Sequence, residues 1–411
     1  MSAATGARLE VSLPQAGGGL RRHELRAARE WSRPEAPIRA RKAYAAAHVV
    51  PLVGADNTPG APASLDWEST LAFRRELWSY GLGVADAMDT AQRGMGLDWT
   101  ATQELITRVG AEARTVAIAR RGATAGLSVR DLVACGAGTD QLELEAVPAG
   151  PAGVAMALEA YREQLAVVED SGPKAIIMAS RALARAATGP DDYLGVYSAL
   201  LEEAREPVVL HWLGTMFDPA LEGYWGSSDV ASATRTFLEL VHAHAKKVDG
   251  VKVSLLDAEH EKALRAALPS GVRLYTGDDF NYPELIDGDG ERHSDALLGI
   301  FAAIYPAASA ALQAYDGGHG GEARTILDGT RDLGLHFFSA PTFYYKTGIA
   351  FMAWLNGHQP GFQMVGGLQS GRSVVHLART FELADRAGLL RDPELAVRRM
   401  SAYLEVNGVA Q

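Results

Sequence analysis

A lone lysine interrupts the apolar stretch "VDGVKVSLLD", residues 248–257. Val251, Val253 and Leu255 alternate with Gly250, Lys252 and Ser254, the period-two pattern of a β-strand with two distinct faces. No salt-bridge partner for Lys252 is evident within the stretch. Burial disfavours the charged form of an amine and lowers its pKa. A shift from ~10.4 to ~7.5 corresponds to roughly 4 kcal/mol between protonation states. A neutral amine so prepared attacks a carbonyl carbon and forms an imine. The competing reading is a lysine that snorkels to solvent or pairs with a carboxylate across the fold.

Other patterns carry less chemistry. "GAGTDQ" (136–141) begins like a dinucleotide fingerprint but lacks the third glycine. "GGHGG" (317–321) has no Lys-Ser/Thr sequel and reads as a turn between helices. His242 and His244 are two apart on an expected helix and so face different ways. There is no H-E-x-x-H and no G-x-S-x-G. No cofactor and no metal are expected.

The elements that would place Lys252 alternate along the chain. Short apolar runs occur at "HVVPLV" (48–53), "GVADAM" (83–88), "DLVACG" (131–136), "KAIIMAS" (174–180), "PVVLHWL" (207–213), "VKVSLL" (251–256), "VRLYTG" (272–277) and "ALLGIF" (296–301). Amphipathic segments lie between them. "LDWESTLAFRRELWSYG" ends at Gly81, a plausible C′ glycine, and "DAEHEKALRAAL" opens on the cap candidate Asp257. Strands alternating with helices predict a parallel α/β fold, and eight strands close a (β/α)8 TIM barrel. An open doubly wound sheet is the runner-up. Beyond residue 305 only helical periodicity follows. The expected organisation is an N-terminal extension over 1–45, a barrel over 46–316 and a C-terminal helical annex over 317–411. Within the extension, a Gly run (17–19) precedes a basic, helix-prone piece from Arg21 to Arg41. In a barrel Val251, Val253 and Leu255 suit the helix-facing side. Lys252 then points inward near the C-terminal end, where barrel enzymes place their chemistry.

The order "GVKVS", helix, "VRLYTGDD" resembles the dihydrodipicolinate synthase and N-acetylneuraminate lyase family, class I aldolase-type barrels. That family carries its Schiff-base lysine on the sixth strand in a "G-x-K-x-S"-like context and ends its seventh strand in "GDD". The matching residues are Gly250, Lys252 and Ser254, then Gly277, Asp278 and Asp279. The resemblance continues through "DALLGIFAAIYP", with Pro306, and the helix "FYYKTGIAFMAWLNG". It covers roughly residues 46–390, most strongly 248–310. It implies that Lys252 forms an imine, that Ser254 and Asp279 belong to the site, and that the chain assembles as a homodimer or homotetramer. Asp278 reads equally as a strand-end structural acid.

Three departures alter what the resemblance implies. Where the family has a proton-relay tyrosine on its fifth strand, "PVVLHWLGTMF" offers His211. Period two puts His211 on the face of Val209 and Leu213. An imidazole can carry protons near neutral pH, or it can be a core histidine. The family's carboxylate-binding "G-T-T-G-E" turn is replaced by "AMDTAQRGMG", in which only Thr90 matches and Asp89 would repel a carboxylate. Asp89 can instead accept hydrogen bonds from sugar or polyol hydroxyls, with Gln92 or Arg93 orienting the substrate, or it can be a loop cap. The family's "P-Y-Y" becomes "ASRALARA", which puts Arg181 at that place. Arginine suits a carboxylate or phosphate, though a plain surface arginine fits as well. Finally, the loop 214–231 carries Tyr224 and Trp225 between Gly223 and Gly226. It reads either as a lid or sugar-stacking wall, or as a loop packed on its neighbours.

Composition narrows the partners. Of 411 residues, 39 are Lys or Arg and 50 are Asp or Glu, giving a net charge of −11. That balance argues against nucleic acid and anionic membranes. The single cysteine, Cys135, excludes an intrachain disulfide and a multi-cysteine zinc site. The N-terminus lacks a secretory pattern and no stretch approaches ~18 uninterrupted apolar residues. A cytoplasmic protein is expected. The leading reading is a Schiff-base lyase or aldolase acting on a small carbonyl substrate, perhaps sugar- or polyol-derived. The alternatives are a metal-dependent barrel isomerase or class II aldolase recruiting His211, Asp89 and Asp278, and a non-catalytic metabolite-binding relative.

Overall fold

The computed structural model describes residues 9–119 and 121–410. It opens on a hairpin, β1 (Glu10–Pro14) and β2 (Leu20–Glu24), paired antiparallel. Eight parallel strands then close a barrel: β3 (Ala43–Ala46), β4 (Gly83–Asp86), β5 (Val133–Ala137), β6 (Lys174–Ile177), β7 (Val208–Leu213), β8 (Val248–Ser254), β9 (Arg273–Thr276) and β10 (Asp295–Leu298). β10 pairs with β3, so no edge is left. The (β/α)8 expectation holds and the open sheet is excluded.

Two expectations at the N-terminus fail. The first barrel strand is Ala43–Ala46, not the run at 48–53, and it begins inside the segment read as extension. An Ala-Tyr-Ala-Ala strand is poor in the β-branched residues that advertise strands. The piece from Arg21 to Arg41 is not a helix. Its first residues pair with β1 across a turn in which Gly17, Gly18 and Gly19 all take positive φ, a conformation glycine adopts without a Cβ clash. β1 packs on the helices Val374–Arg386 and Pro393–Val406. Arg21 pairs with Glu382, His23 Nε2 lies 3.0 Å from Asp385, and the Trp31 indole donates to the Gly388 carbonyl at 2.8 Å. The hairpin and Trp31 are thus tied to the C-terminal helices.

Each strand divides its side chains between two cores. Val251 and Val253 join the layer between barrel and helices, while Tyr44, Ala85, Ile176, Val209, Tyr275 and Leu297 fill the interior. The N-terminal half is plugged. Tyr44 and Tyr275 meet edge to face at 6.0 Å, Tyr275 donates to Asp249 at 2.8 Å, and Asp249 pairs with Lys174 at 2.6 Å. Only the C-terminal end is left for a site. There four non-glycine residues take left-handed backbone: Ala87, Gln92, Trp225 and Leu256. Such conformations cost about 1–3 kcal/mol each and cluster at functional sites.

The loop after β7 is not a lid. Trp225 is fully buried against Tyr197, Trp212 and Phe237, and Tyr224 accepts from the Ser180 backbone N–H at 3.0 Å. The helix Tyr345–Leu355 is buried along all its residues within this one chain. Its apolar surface therefore needs no second copy to cover it. Among the described residues no helix is long and apolar enough to cross a membrane.

Candidate active site

β7 and β8 run side by side, and their register puts His211 directly opposite Lys252. Both point into the barrel, as period two requires. Lys252 is 8% exposed and His211 fully buried. Among the described residues Lys252 has no carboxylate within ion-pair distance, although Asp89 and Asp279 act on it electrostatically from further away. Burial pushes its amine down from the ordinary lysine value, and the two carboxylates oppose that shift. The stem runs past Gly277, where a Cβ would fall 3.0 Å from Lys252 Cε and 2.1 Å from Ser254 Oγ. The glycine of "GDD" therefore makes room for the lysine and the serine.

The aspartates after Gly277 take different tasks. Asp278 accepts from the Phe280 and Asn281 backbone N–H groups and from the Asn281 amide, each at 2.9 Å. It is a structural acid. Asp279 is buried, accepts from the Ile300 N–H at 2.8 Å and faces Lys252. Burial drives its carboxyl up towards the neutral form, against the pull of the Ile300 N–H and Lys252. Carboxyl and amine are thus both pushed away from charge.

His211 differs from the expectation of an imidazole titrating near its ordinary pKa. Burial first, and the Lys252 charge second, hold it well below 6.5, so it is neutral at physiological pH. Its Nε2 lies 3.3 Å from Ser254 Oγ, and its Nδ1 has no partner.

The turn after β4 is fixed from beneath. Arg74 and Asp86, both fully buried, form a bidentate pair at 2.9 and 2.8 Å. Beyond it comes the short 3-10 helix Asp89–Ala91, and the charge of Asp89 acts on both Lys252 and Lys346. Thr90 Oγ1 lies 2.7 Å from the Tyr345 hydroxyl. Gln92 and Arg93, expected to orient substrate, have their donors engaged within the protein. Gln92 donates to the Met95 and Val365 carbonyls. The five N–H groups of Arg93 are taken up by Asp140, Gln164 and the carbonyls of Ala87 and Gly136. A guanidinium with all donors engaged is a clamp for the turn. Arg181 keeps a place at the mouth, half exposed, paired through Nε with Asp218 of the loop after β7. Asp89, Gly94, Thr139, Ser180, Arg181 and Asp218 line a cavity of about 160 Å³ there.

Two residues of the site were not anticipated. Tyr345 and Lys346 open the buried helix Tyr345–Leu355. Tyr345 stacks on Phe338 at 4.3 Å and reaches Thr90. Lys346 is 2% exposed, and burial lowers its pKa to about 8. The available signal was a lysine in the first turn of an otherwise apolar helix. Among the described residues no group of three His, Cys, Asp or Glu side chains is arranged to hold a metal ion. Of the acids considered for a metal site, Asp278 already accepts three hydrogen bonds in its own loop.

The closed barrel of eight parallel strands is an architecture shared with dihydrodipicolinate synthases. The enzyme from Aquifex aeolicus superposes with a TM-score of 0.58 at 13% identity, over 85% of this chain and 99% of that one. YagE, a prophage protein of that family from E. coli K12 determined in complex with pyruvate, gives 0.58 at 12% identity over 84% and 99%. The Acinetobacter baumannii enzyme, complexed with pyruvate, gives 0.55 at 17% over 85% and 99%. At such identities the likeness bears out the fold that the sequence resemblance implied. The chain itself belongs to the family described as protein of unknown function DUF993, whose model matches residues 11–409. A search among curated proteins finds no match.

Proposed function

We propose that the protein is a Schiff-base-forming lyase or aldolase that acts on a keto compound, with Lys252 as the nucleophile. The observation that supports this best is a buried amine that has no ion-pair partner among the described residues, opposite a neutral imidazole and within the electrostatic reach of Asp89 and Asp279. The neutral amine adds to the carbonyl carbon, and the carbonyl oxygen takes up a proton. The carbinolamine loses water to give an iminium, which draws electrons from the neighbouring carbon. A base then takes the proton of a hydroxyl one carbon further out, and that carbon leaves as an aldehyde. The enamine left on Lys252 is protonated at carbon, and water hydrolyses the resulting imine to release the second product. In the dehydrating variant, the carbon beside the iminium loses a proton and the next carbon loses hydroxide.

His211 is the proton carrier in this reading. Its partnerless Nδ1 and its contact with Ser254 give one nitrogen a donor or acceptor role towards substrate while the other is held. Asp279, raised towards neutrality by burial, supplies a carboxyl that can exchange protons near pH 7. Asp89 and Thr90 receive the substrate's hydroxyl groups. Homo-oligomer formation is part of the proposal on the family resemblance alone. The test is borohydride reduction in the presence of 2-oxo acids, keto sugars and inososes, read by intact mass. Wild-type protein should gain the mass of one reduced substrate, and Lys252→Met should gain none. No adduct with any member of the panel removes the imine.

A further inference from the structure

The cavity at the barrel mouth carries more polar chemistry than the imine steps use. Residues that follow β4, β5 and β6 line it, together with Leu213, the last residue of β7. Leu213 stands two residues beyond His211, the partner of Lys252 in the register, a step of roughly 7 Å along a strand. Five charged side chains line the cavity: Asp89, Arg93, Asp140, Arg181 and Asp218. Four of them form two internal pairs, Arg93 with Asp140 and Arg181 with Asp218. Asp89 is left over: among the described residues it makes no ion pair and its carboxylate accepts no hydrogen bond. The lining therefore has one negative charge in excess. A carboxylate ligand would meet Asp89 and compete with Asp218 for Arg181. A hydroxyl meets neither obstacle, because an ionised carboxylate is an acceptor and takes an O–H donor.

The lining also offers donors. Among the described residues the terminal nitrogens of Arg181 make no hydrogen bond, and a Cβ on Gly94 would sit 3.4 Å from Nη1. Thr139 Oγ1 and Ser180 Oγ, both buried, lie 2.6 Å apart, and Ser180 Oγ accepts from the Leu183 N–H. The two hydroxyls share one proton in that contact and keep a second to donate. Leu142, Met178 and Leu213 add apolar surface. An acceptor, donors and an apolar wall together suit hydroxylated carbons, which present O–H edges and C–H faces. The cavity holds about 160 Å³. A cavity of roughly 150 Å³ takes up benzene, so this one has room for about six to eight non-hydrogen atoms, a chain of about four hydroxylated carbons.

We propose that this cavity is a subsite for an uncharged polyhydroxylated chain, with Asp89 accepting from its hydroxyls and Arg181 and the Thr139–Ser180 pair donating to them. The substrate is then a polyhydroxylated keto compound with no carboxylate at that end. The inference deepens the imine reading and rests on it only for the keto end. Asp89 is the specificity-determining residue, since it rewards a hydroxyl and repels an acid at the same place.

The test separates the subsite from the imine by using probes that cannot form one. Binding of erythritol, of erythronate, which has a carboxylate at one end, and of 1,4-butanediol, which lacks the inner hydroxyls, is titrated by ligand-observed NMR on the full chain. Wild-type protein should bind erythritol more tightly than either of the others. Asp89→Asn keeps the shape of the side chain and removes its charge. It should weaken erythritol about tenfold, the equivalent of one lost charge-assisted hydrogen bond, and abolish the preference over erythronate. A folding defect would weaken both probes alike and leave their ratio unchanged. Thr139→Val should weaken erythritol several-fold and keep the ratio. Erythronate bound by the wild type as tightly as erythritol, no saturable erythritol binding, or an unchanged ratio in Asp89→Asn overturns the subsite, and a Lys252 adduct obtained alongside leaves the imine standing. Asp89-dependent erythritol binding without any borohydride adduct overturns the imine and leaves the subsite standing.

Discussion

Replacing Lys346 by methionine should stabilise the protein, and by an amount that depends on pH. Lys346 is 2% exposed, and its pKa falls from 10.5 to about 8 on folding. The unfolded chain therefore binds more protons than the folded one between those values, and stability rises with pH across that window. Below about pH 8 the folded state carries the full burden of the buried ammonium. At about 1.4 kcal/mol per tenfold, the burden is about 3 kcal/mol. It fades as pH climbs through the window and is nearly gone above 10.5. Methionine fills a similar volume beside Met95 and carries no charge, so packing changes little. Urea denaturation of both proteins between pH 7 and 10.5 reads the difference directly. Lys346→Met should exceed wild type by about 3 kcal/mol at pH 7, with the two curves converging towards the alkaline end. A difference that stays flat with pH would mean that the ammonium is not buried in the folded state.

Two further outcomes follow from the same geometry. Gly277→Ala places a Cβ 2.1 Å from Ser254 Oγ and 2.7 Å from the Val253 carbonyl. It should cost about 1–3 kcal/mol in denaturant midpoint measurements and slow reductive trapping by roughly 10²-fold through displaced reacting atoms; unchanged trapping would show that Gly277 does not shape the lysine's channel. His211→Phe should still give the Lys252 adduct while turnover falls ~10²–10⁴-fold. Because burial and Lys252 hold His211 well below 6.5, the wild-type rate profile should show no histidine limb near that pH, and full turnover in His211→Phe would leave the histidine a core residue.

The strands were readable wherever β-branched residues alternated with turns. β7 and β8 carry Val208, Val209, Val251 and Val253, and their periodicity alone set Lys252 and His211 on inward faces that the structure pairs. β3 escaped because its alanines resemble helix, and the hairpin strand β2 escaped because Arg21 and His23 find their partners more than 350 residues away, at Glu382 and Asp385. The same limit applies to the site. Residues on strands were placed by local period, whereas loop residues depend on what folds against them. Arg93 reads as a free cation until Asp140 and Gln164 are seen to claim it. Tyr345 meets Thr90 only through the packing of a helix that follows the barrel, which no periodicity reports. The depressed titration of His211 likewise depends on complete burial beside another cation, not on residue type.

Among the described residues three buried amines have a lowered pKa, Lys174, Lys252 and Lys346; Lys174 is paired with Asp249, and the account makes Lys252 alone the nucleophile. Peptide mapping after borohydride reduction decides between them. The protein is incubated with a keto substrate that yields an adduct, reduced, digested, and the modified lysine is located by mass spectrometry. The account predicts the adduct on Lys252 alone, with a labelling rate that rises with pH and levels off below the ordinary lysine pKa of ~10.4. An adduct on Lys346, or on Lys247, whose ammonium is held by the Glu202 and Ala204 carbonyls, would contradict it.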